Sequence, residues 1–151
     1  MEEQIKTQMN KAFWDLVDEK IGKDLDVEWL VRLYAELPKR LTRWLRPGKS
    51  LQIEITNAYD VKFFEQKVKN GAFDQMELLS LINMTFDYVR KIQSPQRDND
   101  LDKSKNQVLK YMEEKDATFG KTVAKFLKSI HTALDNVEED MQNIHRMINS
   151  K

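Results

Sequence analysis

Apolar residues recur at helical spacing along nearly the whole chain, and the interruptions between the stretches are short. From Glu2 to about Lys20, the spacing of Ile5, Met9, Phe13, Leu16 and Val17 predicts an amphipathic helix, with Ile21-Gly22 as its stop. Asp26 is placed to cap a second helix whose stripe is Val27, Leu30, Val31, Tyr34, Leu37, Leu41, Trp44 and Leu45. Pro38 falls inside that stripe, so a kink or two helices end to end is expected, and Pro47-Gly48 closes the run. After Ser50, LQIEI alternates as a strand would, but the sequence has no second convincing strand to pair with it. A lone strand leaves its backbone unsatisfied, so Leu51, Ile55 and Tyr59 read as the face of a short helix.

Asp60 opens a further short helix carrying Val61, Phe64 and Val68, which Asn70-Gly71 ends as a left-handed cap. Asp74 and Glu77 have the spacing of a capping box. The helix they start carries Leu78, Leu81, Ile82, Thr85, Phe86, Val89 and Ile92, is apolar nearly all round, and is expected to be the central one. Pro95 stops it. Asp98 or Asn99 then caps a thinly apolar, peripheral helix from about Asp100 to Lys115, with Leu101, Val108, Leu109 and Met112 inward. After a break near Asp116, a last helix runs from Thr118 to Asn149 on Val123, Phe126, Leu127, Ile130, Leu134, Val137, Met141, Ile144 and Ile148. The pattern is that of an all-α, single-domain helical bundle of about six or seven helices spanning residues 1–151, with a long C-terminal helix.

Composition narrows the function classes. With 25 basic and 25 acidic residues the net charge is zero, so no general field for nucleic acid exists. The absence of cysteine removes disulfides, thiolate metal sites and cysteine nucleophiles. MEEQIKTQMNK lacks the basic head and apolar core of a signal peptide, and no run is long enough to span a membrane, so a cytoplasmic protein is expected.

Two constellations carry candidate chemistry. His131, Asp135, Glu138, Gln142 and His145 fall along one stripe of the last helix, and imidazole with carboxylate can bind zinc or iron or act as an acid–base pair. Carboxylate-bridged di-iron bundles need Glu-x-x-His on each of two helices, which this chain lacks, and two histidines so far apart do not meet at one metal. The stripe is therefore expected to be a solvated face, with no metal and no cofactor. No nucleophile elbow, phosphate-binding glycine loop or dinucleotide fingerprint occurs, so a non-enzymatic protein is expected. The second constellation is PKRLTRWLRPGK, in which Lys39, Arg40, Arg43, Arg46 and Lys49 surround Trp44 without an acidic neighbour. Basic amphipathic helices of this kind dock on acidic proteins or anionic lipid, although five charges without an acyl chain give only weak membrane attachment. An ordinary surface helix with solvated arginines is the simpler reading, and the patch is still the first choice for a surface that binds another protein.

Four pieces of the chain, in order, resemble the T-complex protein 11 family. They are DVEWLVRLYAELPKRLTRWLRP, the stretch SLQIEITNAYDVKFFEQKVKNGAFDQMELLSLINMTFDYV, the Pro-x-Arg-Asp element at Pro95, Arg97 and Asp98, and the Leu-Asp…Asp-Met-x-Asn segment at Leu134, Asp135, Asp140, Met141 and Asn143. The resemblance covers about residues 27–147, with Ser94 where an alanine is more typical. Members of that family are usually several times longer, so the chain corresponds to its leading part or to a compact variant. What the resemblance implies is an all-helical, non-enzymatic regulator linked to cyclic-AMP and protein-kinase-A signalling. Within QSPQRDND, Pro95 ends one helix, Asp98 caps the next, and Arg97 is placed to donate to the last carbonyls of the helix before it, which makes Arg97 a residue of stability before binding.

Overall fold

The computed structural model of the chain describes the backbone of residues 2–149 and the side chains of residues 10–149. Each apolar stretch is a helix: α1 (Glu2–Val17), continuing into a π-helical turn (Asp18–Lys23), then α2 (Val27–Thr42), α3 (Ser50–Ala58), α4 (Val61–Lys69), α5 (Gln75–Ile92), a 3₁₀ turn (Pro95–Arg97), α6 (Asp98–Met112) and α7 (Phe119–Asn149). No strand occurs among the described residues. LQIEI is helical, and its period shows in the packing: Ile55 is buried while Ile53 faces water, although both would share one face of a strand.

The caps are local and follow the sequence. Asp26 accepts from the amides of Glu28 and Trp29 at 3.0 and 3.4 Å, Asp60 from Phe63 at 3.0 Å, and Asp74 from Glu77 at 2.9 Å. Gly71 takes the left-handed conformation (φ +68°) that ends α4, with the Ala72 amide donating back to Lys67 O at 2.8 Å. The capping box at Asp74 is only half formed, because the Glu77 carboxylate pairs with Lys67 of α4. The described start of α6 is Asp98, so Asp98 is a first-turn residue and not its cap. It accepts from the Gln93 side chain at 2.8 Å instead.

Three expectations are corrected. The first helix does not stop at Ile21-Gly22 but runs on as a π-helical turn to Lys23, and Leu25 takes the left-handed turn (φ 47°). Val17 and Ile21 have no exposed surface, and their burial holds the turn helical through the glycine. Pro38 does not divide α2, which is one helix from Val27 to Thr42 and ends before Trp44 and Leu45. Leu37 and Leu41, 0 % and 1 % exposed, flank the proline, and about 2 kcal/mol from burying each offsets the roughly 3 kcal/mol a mid-helix proline costs. Finally, α5 is one-sided, with Met76, Asn83 and Asp87 facing water, so it is not the central helix. That place belongs to α7, which packs on the π-helical turn, α2, α5 and α6 and buries an unbroken series from Val123 to Val137.

Toward its ends the expected apolar stripe of the chain is uncovered. Phe13 and Leu16 of α1 are exposed, as are Ile144 and Ile148 of α7, and Ile5 and Met9 lie outside the described side chains. The shared core gathers Leu30, Leu37, Ile82, Phe86, Phe126 and Ile130, with Tyr34 stacked on Phe64 at 3.8 Å and Tyr59 bonded to Thr85 at 2.8 Å.

Gly120 sets how closely α7 approaches the π-helical turn. A Cβ there would lie 2.6 Å from Ile21 O and 2.9 Å from Gly22 O, whereas one at Gly22 meets its nearest neighbour, the Ala124 Cβ, at an ordinary 3.7 Å. Gly120→Ala is expected to destabilise the protein by about 1–3 kcal/mol through backbone overpacking. Gly22→Ala is expected to be neutral or stabilising by up to about 1 kcal/mol. Urea melts of the two variants check the contrast, and equal effects would refute the close approach.

Candidate functional site

The two constellations picked out in the sequence face each other. α2 and α7 run side by side, and Arg40 reaches across: its Nη2 donates to Asp135 Oδ1 at 2.6 Å and lies 3.5 Å from Glu138 Oε2. Its Nη1 donates to His131 Nδ1 at 2.9 Å and lies 3.4 Å from the His131 carbonyl. Arg43 pairs with Glu138 at 2.9 Å, and the Trp44 ring lies 5.3 Å from that of His145. The expectation of a solvated stripe on α7 is therefore corrected for His131, which is buried beneath Trp14 and Arg40. Nor is the basic segment one amphipathic helix with solvated arginines: the Arg40 side chain is only 21 % exposed, and Trp44, Arg46 and Lys49 follow the end of α2 in the connection to α3. Lys39 lies 3.8 Å from Glu36, while Arg46 and Lys49 are exposed with no ion pair among the described residues.

A guanidinium has only donors, so His131 Nδ1 must accept and the ring proton sits on Nε2. That Nε2 is buried without a hydrogen-bond partner. Burial first, and then the Arg40 charge, push the imidazole down to about 4 against the pull of Asp135, so the ring is neutral near pH 7. The arrangement is an ion-paired helix seam with a neutral histidine at its buried end. His145, fourteen residues on and so roughly 21 Å along the helix, does not converge with it. No group of three or more His, Asp or Glu side chains able to hold a metal occurs among the described residues.

On the other side of α7, Arg97 does not donate to the carbonyls that end α5. Its Nε and Nη2 instead grip the two Asp140 oxygens at 2.7 Å each, a bidentate pair that ties the α5–α6 junction to α7. This hydrogen bonding holds the Asp140 carboxyl below its usual range. Beside it, Arg90 of α5 reaches Asp102 of α6 at 2.7 Å. Sequence reasoning missed both the Arg40–His131 and the Arg97–Asp140 contacts, since each joins residues far apart in the chain. It also missed an open groove of about 470 Å³ between α6 and α7, lined by Ser104, Tyr111, Lys125, Lys128 and Thr132, with the Lys125 ammonium 4.8 Å from the Tyr111 ring centre.

Two measurements check this geometry. The His131 value falls from 6.5 to about 4 on folding, so the unfolded chain takes up its proton first as the solution is acidified. The resulting stability is complete above about pH 6.5 and is lost toward pH 4, by about 3 kcal/mol at 1.36 kcal/mol per unit. His131→Gln, which keeps an acceptor for Arg40 but does not titrate, is expected to flatten that slope in denaturant melts, and an unchanged slope would refute a buried neutral ring. Arg97→Ala is expected to lower stability by about 1 kcal/mol, with Asp140→Ala adding little more in a double-mutant cycle. Additive losses would show the pair to be uncoupled.

The Pro-x-Arg-Asp element and the Asp-Met-x-Asn segment are thus joined in space by the Arg97–Asp140 pair. No solved structure matches the chain. The model of the family described as T-complex protein 11 matches residues 1–149, nearly the whole length. With an all-helical fold and that match, the chain belongs to the T-complex protein 11 family.

Proposed function

We propose that this chain is a non-enzymatic, cytoplasmic helical module that binds another protein through the end of α7 and the α2–α3 connection beside it. One observation carries the reading: the apolar stripe of α7 is covered as far as Val137, 4 % exposed, and then emerges at Ile144 and Ile148, 49 % and 65 % exposed. Contiguous exposed apolar surface rimmed by polar residues is the kind that marks a protein interaction site. Trp44 of the basic segment stands beside it through the Trp44–His145 contact, with Arg46 and Lys49 further along the same connection, while Arg40 and Arg43 serve the fold. Family membership supports a regulatory place in a signalling pathway, cyclic-AMP and protein-kinase-A signalling being the one the resemblance implies.

A peripheral membrane role fits the geometry less well. α2 ends at Thr42, and two of the five cations are turned onto α7, so the continuous basic helix such binding needs is missing. No helix of the described residues is long and apolar enough to cross a membrane.

A photo-reactive phenylalanine analogue at Ile148 is expected to crosslink a discrete protein in the native cell, and the same probe at exposed Asn106 of α6 is expected to give none. No adduct at residue 148, or the same adduct at both positions, would overturn the module reading. Mass spectrometry of the adduct decides the finer point: a component of cyclic-AMP signalling supports the regulatory role, and any other partner removes it.

A further inference from the structure

The α7 stripe has a more specific form than an amphipathic face. Val123, Leu127, Ile130, Leu134, Val137, Met141, Ile144 and Ile148 follow one another in alternating steps of four and three residues. That is the spacing of a two-per-heptad seam, widened over the covered part by buried Ala124, Phe126 and His131 and carried past Val137 at Met141, Ile144 and Ile148. The first five are at most 4 % exposed and are covered by the bundle, and the seam then runs on with unchanged spacing past the last cover. What fits such a seam is another helix.

The borders of the bare portion are already held. Glu138 is fixed by Arg43, His145 lies against Trp44, and Asp140 is gripped by Arg97. A partner would meet a preorganised floor and flanks, which lowers the ordering cost of binding. The charge nearest the end of α7 is mainly positive: residues 141–149 and residues 37–53 contain no carboxylate, with exposed Glu139 lying just before them, while Arg46, Lys49 and Arg146 are exposed cations with no ion pair among the described residues. A second copy would bring the same cations to the contact, and like charges oppose it.

We infer that the seam at half-buried Met141 and exposed Ile144 and Ile148 receives an acidic amphipathic helix of a partner protein, with apolar residues at heptad positions and Asp or Glu on its flanks. The inference rests on the interaction-module reading above and names the chemistry of the partner.

The test uses the whole chain and two labelled synthetic peptides about 18 residues long, both with Leu at the seam positions, one flanked by Glu and the other by Lys. In fluorescence anisotropy, the Glu peptide is expected to bind at least about tenfold more tightly than the Lys peptide, and less tightly as salt rises. Ile144→Asp with Ile148→Asp is expected to weaken it by about tenfold or more, and Arg46→Glu with Lys49→Glu by about fivefold. All four residues are exposed, so unchanged melts will show that the variants fold. Equal binding of the two peptides, or binding of neither, overturns the inference. So does a dimer of the wild-type chain, seen by sedimentation and abolished by Ile148→Asp, since a second copy would then occupy the seam. Peptide failure alongside a specific crosslink at residue 148 removes the acidic helix and leaves the module reading; loss of both removes both.

Discussion

At Gly120 the backbone of α7 rests almost directly on the backbone of the π-helical turn, and the other helices are arranged around that contact. Only a residue without a Cβ permits the approach, which brings Ile21 against the start of α7 and leaves it without exposed surface. Once that end of α7 is fixed, its direction places Phe126 against Phe86 of α5 and carries Leu134 and Val137 along the bundle. The same direction determines where the cover ends, because α7 has 31 residues, roughly 46 Å of helix, and the bundle covers it only as far as Val137.

The polar contacts along α7 divide between its two flanks. On one, Arg40 of α2 and Arg43 just past its end hold His131, Asp135 and Glu138; on the other, Arg97 holds Asp140. A residue that looks like a free cation in the sequence is thus a structural partner, and the surface proposed to meet a second protein is smaller and lies further along than the basic run suggests. It comprises the last turns of α7 with their exposed apolar side chains and the α2–α3 connection, whose Arg46 and Lys49 have no ion pair among the described residues.

How much of this was legible follows from how far each determinant reaches along the chain. The caps at Asp26, Asp60 and Asp74 and the left-handed Gly71 are settled within a few residues, and they stand where the sequence places them. The continuity of α2 through Pro38 and of the first helix through Gly22 depends on burial against distant helices, which local propensity does not contain. Arg97 illustrates the same limit. Its nearest acceptors in sequence are the carbonyls ending α5, but a bidentate carboxylate 43 residues away offers a better geometry. The periodicity of α7 was plain in the sequence, whereas the fraction of it that the bundle covers is a property of the packed molecule.

An apolar seam of even spacing has an ambiguity that Gly120 removes at one end of α7 and the Arg40 contacts remove further along it. Sliding α7 by seven residues along α2 would still set apolar side chains into the same holes, so the hydrophobic pattern alone does not select one alignment. Arg40 does select one, because its two carboxylate partners lie at Asp135 and Glu138, and a shift by one heptad would set it against Gln142 and His145, neither of which carries a negative charge. The seam of charge between α2 and α7 is therefore a vernier: it adds little to the depth of the energy minimum at the exposed Asp135, yet it tells one minimum from its translational copies.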